Sequence, residues 1–257
     1  MEYPFDNPHA GIESQVLGLP SGIPDSAAVR QARALPPSAE HYALLGKALS
    51  RQLRYREAIE SYSAGLALEP ENLPLLRLRA GRYLTTLQSD SAIRDFEACL
   101  RLGAEKLDCL YRMGLAHYYA GQYRTAAKIW EDCIHLCDDE MGIAVIYWHT
   151  LSAIRAGIPP VLLRQYHTGM AVGHHTAYEK AMQVWGGAQT LPRALRKLEQ
   201  EQDDLEYGIV LYGLLYHPDC PDRKNLLEKL LRRNGFWPGF SYLAAWNDAR
   251  NSGLLRP

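Results

Sequence analysis

The stretch YALLGKALSRQLRYREAIESYSAGLALEP, residues 42–70, decides how this chain reads. Tyr42, Leu45 and Leu49 share one face of a helix, and Gly46 leaves a gap on that face. A polar turn, RQLRY, follows. The second run sets Ala58, Tyr62 and Gly65 three or four residues apart and stops at Pro70, which cannot continue a helix. Small residues on an otherwise apolar face mark where two helices cross closely, and the aromatic fills the adjacent hole. The stretch is therefore expected to form a helical hairpin.

The hairpin recurs. Ala58, Ala92 and Ala126 are spaced by 34 residues, and their neighbours fall into register. Tyr62, Phe96 and Trp130 align, as do Gly65, Cys99 and Cys133. Upstream, Tyr42 aligns with Leu76 and Leu110; Gly46 with Ala80 and Gly114; Leu49 with Tyr83 and His117. The turns TLQSD and YAGQY take the place of RQLRY.

A 34-residue period with these columns resembles the tetratricopeptide repeat (TPR). Repeat one, 39–72, matches nearly every column. Repeat two, 73–106, has Arg79 where Leu is usual and Ala104 where Pro is usual. Repeat three, 107–140, has His117 in the tyrosine column and Asp138 in the proline column. The resemblance implies an all-α, right-handed TPR-type α-solenoid of helix-turn-helix repeats, with a divergent C-terminal helical block. The expected organisation is an N-terminal arm and short helix over 1–36, three repeats over 37–140, and divergent repeats with a cap over 141–257.

Within the arm, residues 1–24 read as loop and 25–35 as a short helix capped by Asp25 or Ser26. The arm is expected to lie against the repeats. A fourth unit starts in phase at 141–157, apolar almost all round, as a helix buried between neighbours is. Beyond Pro159 and Pro160 the period is lost. Helices are expected in VLLRQYHTGMAVG, AYEKAMQVWGGA and LPRALRKLEQEQ. A hairpin follows, DLEYGIVLYGLLYHP and DRKNLLEKLLRRNG, with Asp219 or Asp222 as N-cap and Gly235 as C-cap. A last helix ends at Gly253.

A net charge of −1 removes the general electrostatic argument for nucleic acid or an anionic membrane surface. The N-terminal residues lack the basic and apolar regions of a secretory signal, and no window of about 18 apolar residues exists. Five scattered cysteines read as reduced thiols, and the expected location is cytoplasmic.

No Gly-rich phosphate loop, GxSxG or HExxH is present, and no catalytic residue, metal ligand or cofactor site is assigned. Cys133 and Cys137 stand at i and i+4, a spacing for two zinc ligands. No second pair exists, and Cys133 occupies a small-residue packing column. His167, His174 and His175 read as a surface turn, and Asp138, Asp139 and Glu140 as a solvated loop or helix end.

In TPR proteins the groove is lined by first-helix positions that do not carry the packing columns. Carried over, this implies a peptide-binding face of Lys47, Arg51, Arg77, Tyr111, Arg112, Tyr118 and Tyr119. Arginine recognises carboxylates bidentately and tyrosine supplies contact area at low entropy cost. The subclass that clamps chaperone C-termini calls for Lys, Asn, Asn, Lys and Arg, against Ala43, Lys47, Leu78, Asp108 and Arg112 here; only Arg112 matches. The expected function is a non-catalytic scaffold or adaptor holding an extended, acidic peptide segment or a partner helix. Two alternatives stay open. One is a small-molecule or catalytic cleft around His167, His174, Trp185 and Tyr212. The other is self-association into a homo-oligomer, with residues 1–24 of one chain in another's groove.

Overall fold

The computed structural model describes residues 11–255. The fold of the described residues is all-α, in two compact units, 11–116 and 117–255, and the division falls inside one helix. It does not follow the repeat phase.

In the first unit, α1 (Ile12–Leu17) and α2 (Ala27–Arg33) precede two helical hairpins, α3–α4 (Ala39–Arg51, Tyr55–Leu68) and α5–α6 (Leu73–Thr85, Ser89–Arg101). The division lies within α7 (Lys106–Tyr119). Hairpin partners pack on each other, and α4 packs on α5, as in a TPR-type array. Gly46 shows why. A β-carbon built there would stand 2.2 Å from the ring of Tyr62, which is 1% exposed and hydrogen-bonded to Ser50 Oγ. Ala80, Ala92 and Phe96 in the same columns are fully buried. Burial of each large aromatic stabilises by about 2 kcal/mol.

The turns repeat down to single hydrogen bonds. Leu53 and Leu87 take left-handed φ of 59° and 55°, and Gly121, the third residue of the column, has 76°. The following N–H donates five residues back in each case: Arg54 to Leu49 O, Gln88 to Tyr83 O, Gln122 to His117 O. This is the helix-ending motif that glycine favours; the first two repeats close it with leucine.

Departures from the repeat pattern are compensated. Arg79 donates from Nε and Nη2 to both carboxylate oxygens of Asp95 on α6, at 2.7 and 2.8 Å, and from Nη1 to Ser63 on α4. Ala104, in the proline column, follows Gly103 (φ 83°) and donates to Cys99 O, closing the helix without proline.

The arm differs from the expected loop. Residues 1–10 lie outside the described residues, and the remainder forms α1, held by Arg56 donating to the carbonyls of Gln15 and Val16. The described part of the arm thus docks on α4. Ser26 caps α2 as expected. Asp25 pairs with Arg54, whose side chain is almost buried, and with Arg33.

The second unit contains α8 (Tyr123–Cys133), α9 (Asp139–Ala156), α10 (Thr176–Trp185), α11 (Leu191–Leu198), α12 (Asp204–Leu214), α13 (Arg223–Arg232) and α14 (Phe240–Asn251). From Gly142 to Ala153 every residue of α9 is buried. Asp138, in the proline column, caps α9 by accepting from Met141 N–H. Asp139 and Glu140 accept from the N–H groups of Ala171 and His174. They anchor the loop that replaces the helix expected over 161–173; only residues 161–165 coil, as a 3-10 turn. Gly169 (φ 100°) and Gly173 (φ 52°) explain the difference, because both depart from helical backbone. Asp222 caps α13; its C-cap is Arg233, and Gly235 instead donates to Asp204.

His149 on α9 is buried, with Nε2 3.2 Å from Glu131 Oε1. Burial lowers its pKa and the Glu131 partner only partly offsets this. Its folded pKa is therefore below its unfolded one. The associated stability is complete above about pH 6.5 and is lost as pH falls below that value.

Two measurements test these points. Gly46→Ala should destabilise the protein by about 1–3 kcal/mol in urea unfolding, despite alanine's better helix propensity. The loss should shrink in a Tyr62→Leu background, which removes the ring. Stability should fall between about pH 7 and pH 5 by no more than about 1.4 kcal/mol per unit for this one proton, and His149→Leu should flatten that slope.

Candidate functional site

The first helices of the hairpins, α3 and α5, and the start of α7 line a cavity of about 300 Å³ in the first unit. Its walls carry Lys47 and Arg51 from α3, Arg77 and Arg82 from α5, and Arg112 from α7. The floor is Leu78, Gly81 and the edge of Tyr62. Residues 47 and 51, and 78 and 82, are i, i+4 pairs, so each helix presents one continuous face to the groove.

One carboxylate stands among these five cations. Asp108 accepts from Arg77 Nε at 2.8 Å through one oxygen and from Arg112 Nε at 2.9 Å through the other. Partial burial pushes the Asp108 carboxyl up, but the two guanidiniums outweigh it and its pKa ends below the ordinary value. Arg82 lies over the ring of Tyr55, 4.5 Å from the centroid. Lys47 and Arg51 are exposed and, among the described residues, form no ion pair. The face remains strongly positive in a chain whose net charge is −1.

Of the residues expected here, Lys47, Arg51, Arg77 and Arg112 come together. The three tyrosines do not offer themselves to a ligand. Tyr111 is buried at 8% exposure, Tyr118 at 2% and Tyr119 at 5%. Tyr119 donates to Phe240 O at 2.9 Å, and Asn247 Nδ2 returns a bond to Tyr119 O. Tyr118 shares a hydrogen bond with Tyr212 and accepts from Arg155. The rings of Tyr118 and Tyr119 belong to packing with helices distant in sequence. Arg82 was not anticipated, because it adjoins the packing column of Tyr83; its i, i+4 relation to Leu78 was the available signal.

The residues of the alternative cleft take separate environments. His167 is exposed on the anchored loop, and His174 lines an apolar cavity with Tyr178 and Phe236. Trp185 donates to Gly213 O and packs edge-on against His217, and Tyr212 is fully buried. Cys133 ends α8 and Cys137 lies beyond the following 3-10 turn, so the two do not share the helix face that a zinc pair requires. Among the described residues, no three His, Cys, Asp or Glu side chains converge as metal ligands. No helix among them is long and apolar enough to cross a membrane.

No protein-family model and no curated protein matches the chain. Among solved structures, it is similar to YrrB, a TPR protein with an unusual peptide-binding site. The identity is 14%, over 88% of this chain and 100% of that one, with a TM-score of 0.46.

Gly81 is helical, and a β-carbon there would meet no atom within 4 Å. Gly81→Ala should therefore raise stability by about 1 kcal/mol in urea unfolding, through helix propensity alone.

Proposed function

We propose that the first unit, 11–116, is a non-catalytic docking scaffold that holds an extended acidic segment of another protein along α3, α5 and α7. The observation that carries the reading is the composition of the groove: five cations around about 300 Å³, offset by only one carboxylate, Asp108. Asp108 also orients two of them. It occupies Nε of Arg77 and of Arg112, leaving their terminal amino groups for a ligand's carboxylates. Leu78 and the open space above Gly81 give room for an apolar side chain between the acidic ones. An extended peptide suits this site because its side chains alternate between faces at a spacing comparable to one helical turn. We infer a cytoplasmic adaptor from the five scattered cysteines, which are free among the described residues.

The test is fluorescence anisotropy with a labelled synthetic peptide of alternating glutamate and leucine. Lys47→Glu with Arg51→Glu should weaken binding by about tenfold or more, since both are unpaired surface charges whose loss the fold tolerates. Gly81→Phe should block binding while the protein stays folded, because the ring enters the groove. Affinity should fall steeply as ionic strength rises from about 0.1 to 1 M, where the screening length contracts to about 3 Å. Unchanged binding in both variants sinks the groove assignment.

A further inference from the structure

The second unit contains its own cavity, of about 740 Å³, unrelated to the peptide groove. Its base is a closed polar network. Arg155 donates to Asp248 through Nη1 and Nη2, at 3.0 and 2.8 Å. The hydroxyls of Tyr212 and Tyr216 donate to the same carboxylate at 2.7 and 2.6 Å. Arg155 also lies against the rings of Tyr123 and Tyr216, 4.1 and 4.6 Å from their centroids. The two charges cancel and the rings are fixed in place, so the base is rigid and neutral.

The mouth is different. Arg223 and Lys224 line it from the first turn of α13. Arg223 spends Nε on Leu215 O, at 2.8 Å, and rests on the ring of Tyr216. Its terminal amino groups make no bond among the described residues. Neither Arg223 nor Lys224 has an ion pair there. Two cations on a first helical turn oppose the helix dipole, so they do not serve the stability of α13. Between mouth and base, Leu227 and the half-buried face of Tyr123 form an apolar wall. The Tyr123 hydroxyl makes no hydrogen bond among the described residues. The volume falls within the range of sites for small organic ligands.

We propose that this cavity binds a small organic anion, with its carboxylate, sulfonate or phosphate group on Arg223 and Lys224 and its flat apolar body along Tyr123 and Leu227. The charge inventory selects an anion: three cations line the cavity against the one carboxylate of Asp248, which already accepts four hydrogen bonds. The apolar wall selects a ligand with a hydrophobic body over a bare inorganic ion.

The experiment is a fluorescence titration of the full chain with 1-anilinonaphthalene-8-sulfonate and with its uncharged counterpart, N-phenyl-1-naphthylamine. Wild type should bind the sulfonate at one saturable site. Arg223→Gln with Lys224→Gln should weaken the sulfonate by about tenfold and the neutral probe by less than about twofold. If the double variant does not fold, Lys224→Glu alone, at an exposed position, should give the same selective loss. Lys47→Glu with Arg51→Glu should leave sulfonate binding unchanged, which separates this site from the groove. Non-saturable binding, or saturable binding indifferent to residues 223 and 224, overturns the proposal. So does binding abolished by the Lys47 and Arg51 changes.

Discussion

The repeats depend on one close approach, the ring of Tyr62 lying where a side chain at position 46 would be. Two helices joined by a short turn can cross at this distance only if one surrenders its side chain at the crossing point. The other must then supply a flat ring to fill what is left. Once that contact is set, the remaining first-helix faces are fixed by helical geometry. Tyr42, Leu45 and Leu49 turn toward the partner helix, and Lys47 and Arg51 turn toward the groove. The cationic face is thus a by-product of the packing face. That is why a scaffold motif with no chemistry of its own positions five cations.

The same logic explains why irregular columns do not break the array. A half-buried arginine in place of leucine carries a desolvation cost unless its charge and donors are met. Asp95 and Ser63 meet them for Arg79, from the helices on either side. Proline stops a helix by withholding an N–H. Asp138 reaches a similar end by starting the next helix, and Gly103 by reversing the chain. Each substitution changes the chemistry of the column and keeps its geometric task.

These rules also set what was legible beforehand. The hairpins, the turns and the buried fourth unit follow from local periodicity, since the residues that decide them lie within one repeat of each other. Lys47, Arg51, Arg77 and Arg112 were legible for the same reason. Tyr118 and Tyr119 were misread as ligand contacts because the groups that claim them, Tyr212, Phe240 and Asn247, lie about a hundred residues away. No period connects them. The loop over 166–175 was hidden differently. Its apolar spacing suits a helix; Gly169 and Gly173 break the helical backbone, and the long-range anchoring by Asp139 and Glu140 holds the loop that results.

Two arginine–carboxylate arrangements in this chain show how the same groups can close a network or leave a surface charged. Asp248 takes two bonds from Arg155 and one from each of two tyrosines, three on Oδ2 and one on Oδ1, so its charge is met by a full set of donors in a half-buried site. Asp108 takes one bond from each of two arginines, both through Nε, at a site open to solvent. It orients two guanidiniums but neutralises only one of them. Counting bonds on the carboxylate, not the arginines near it, therefore separates a closed structural network from a surface that still carries net positive charge.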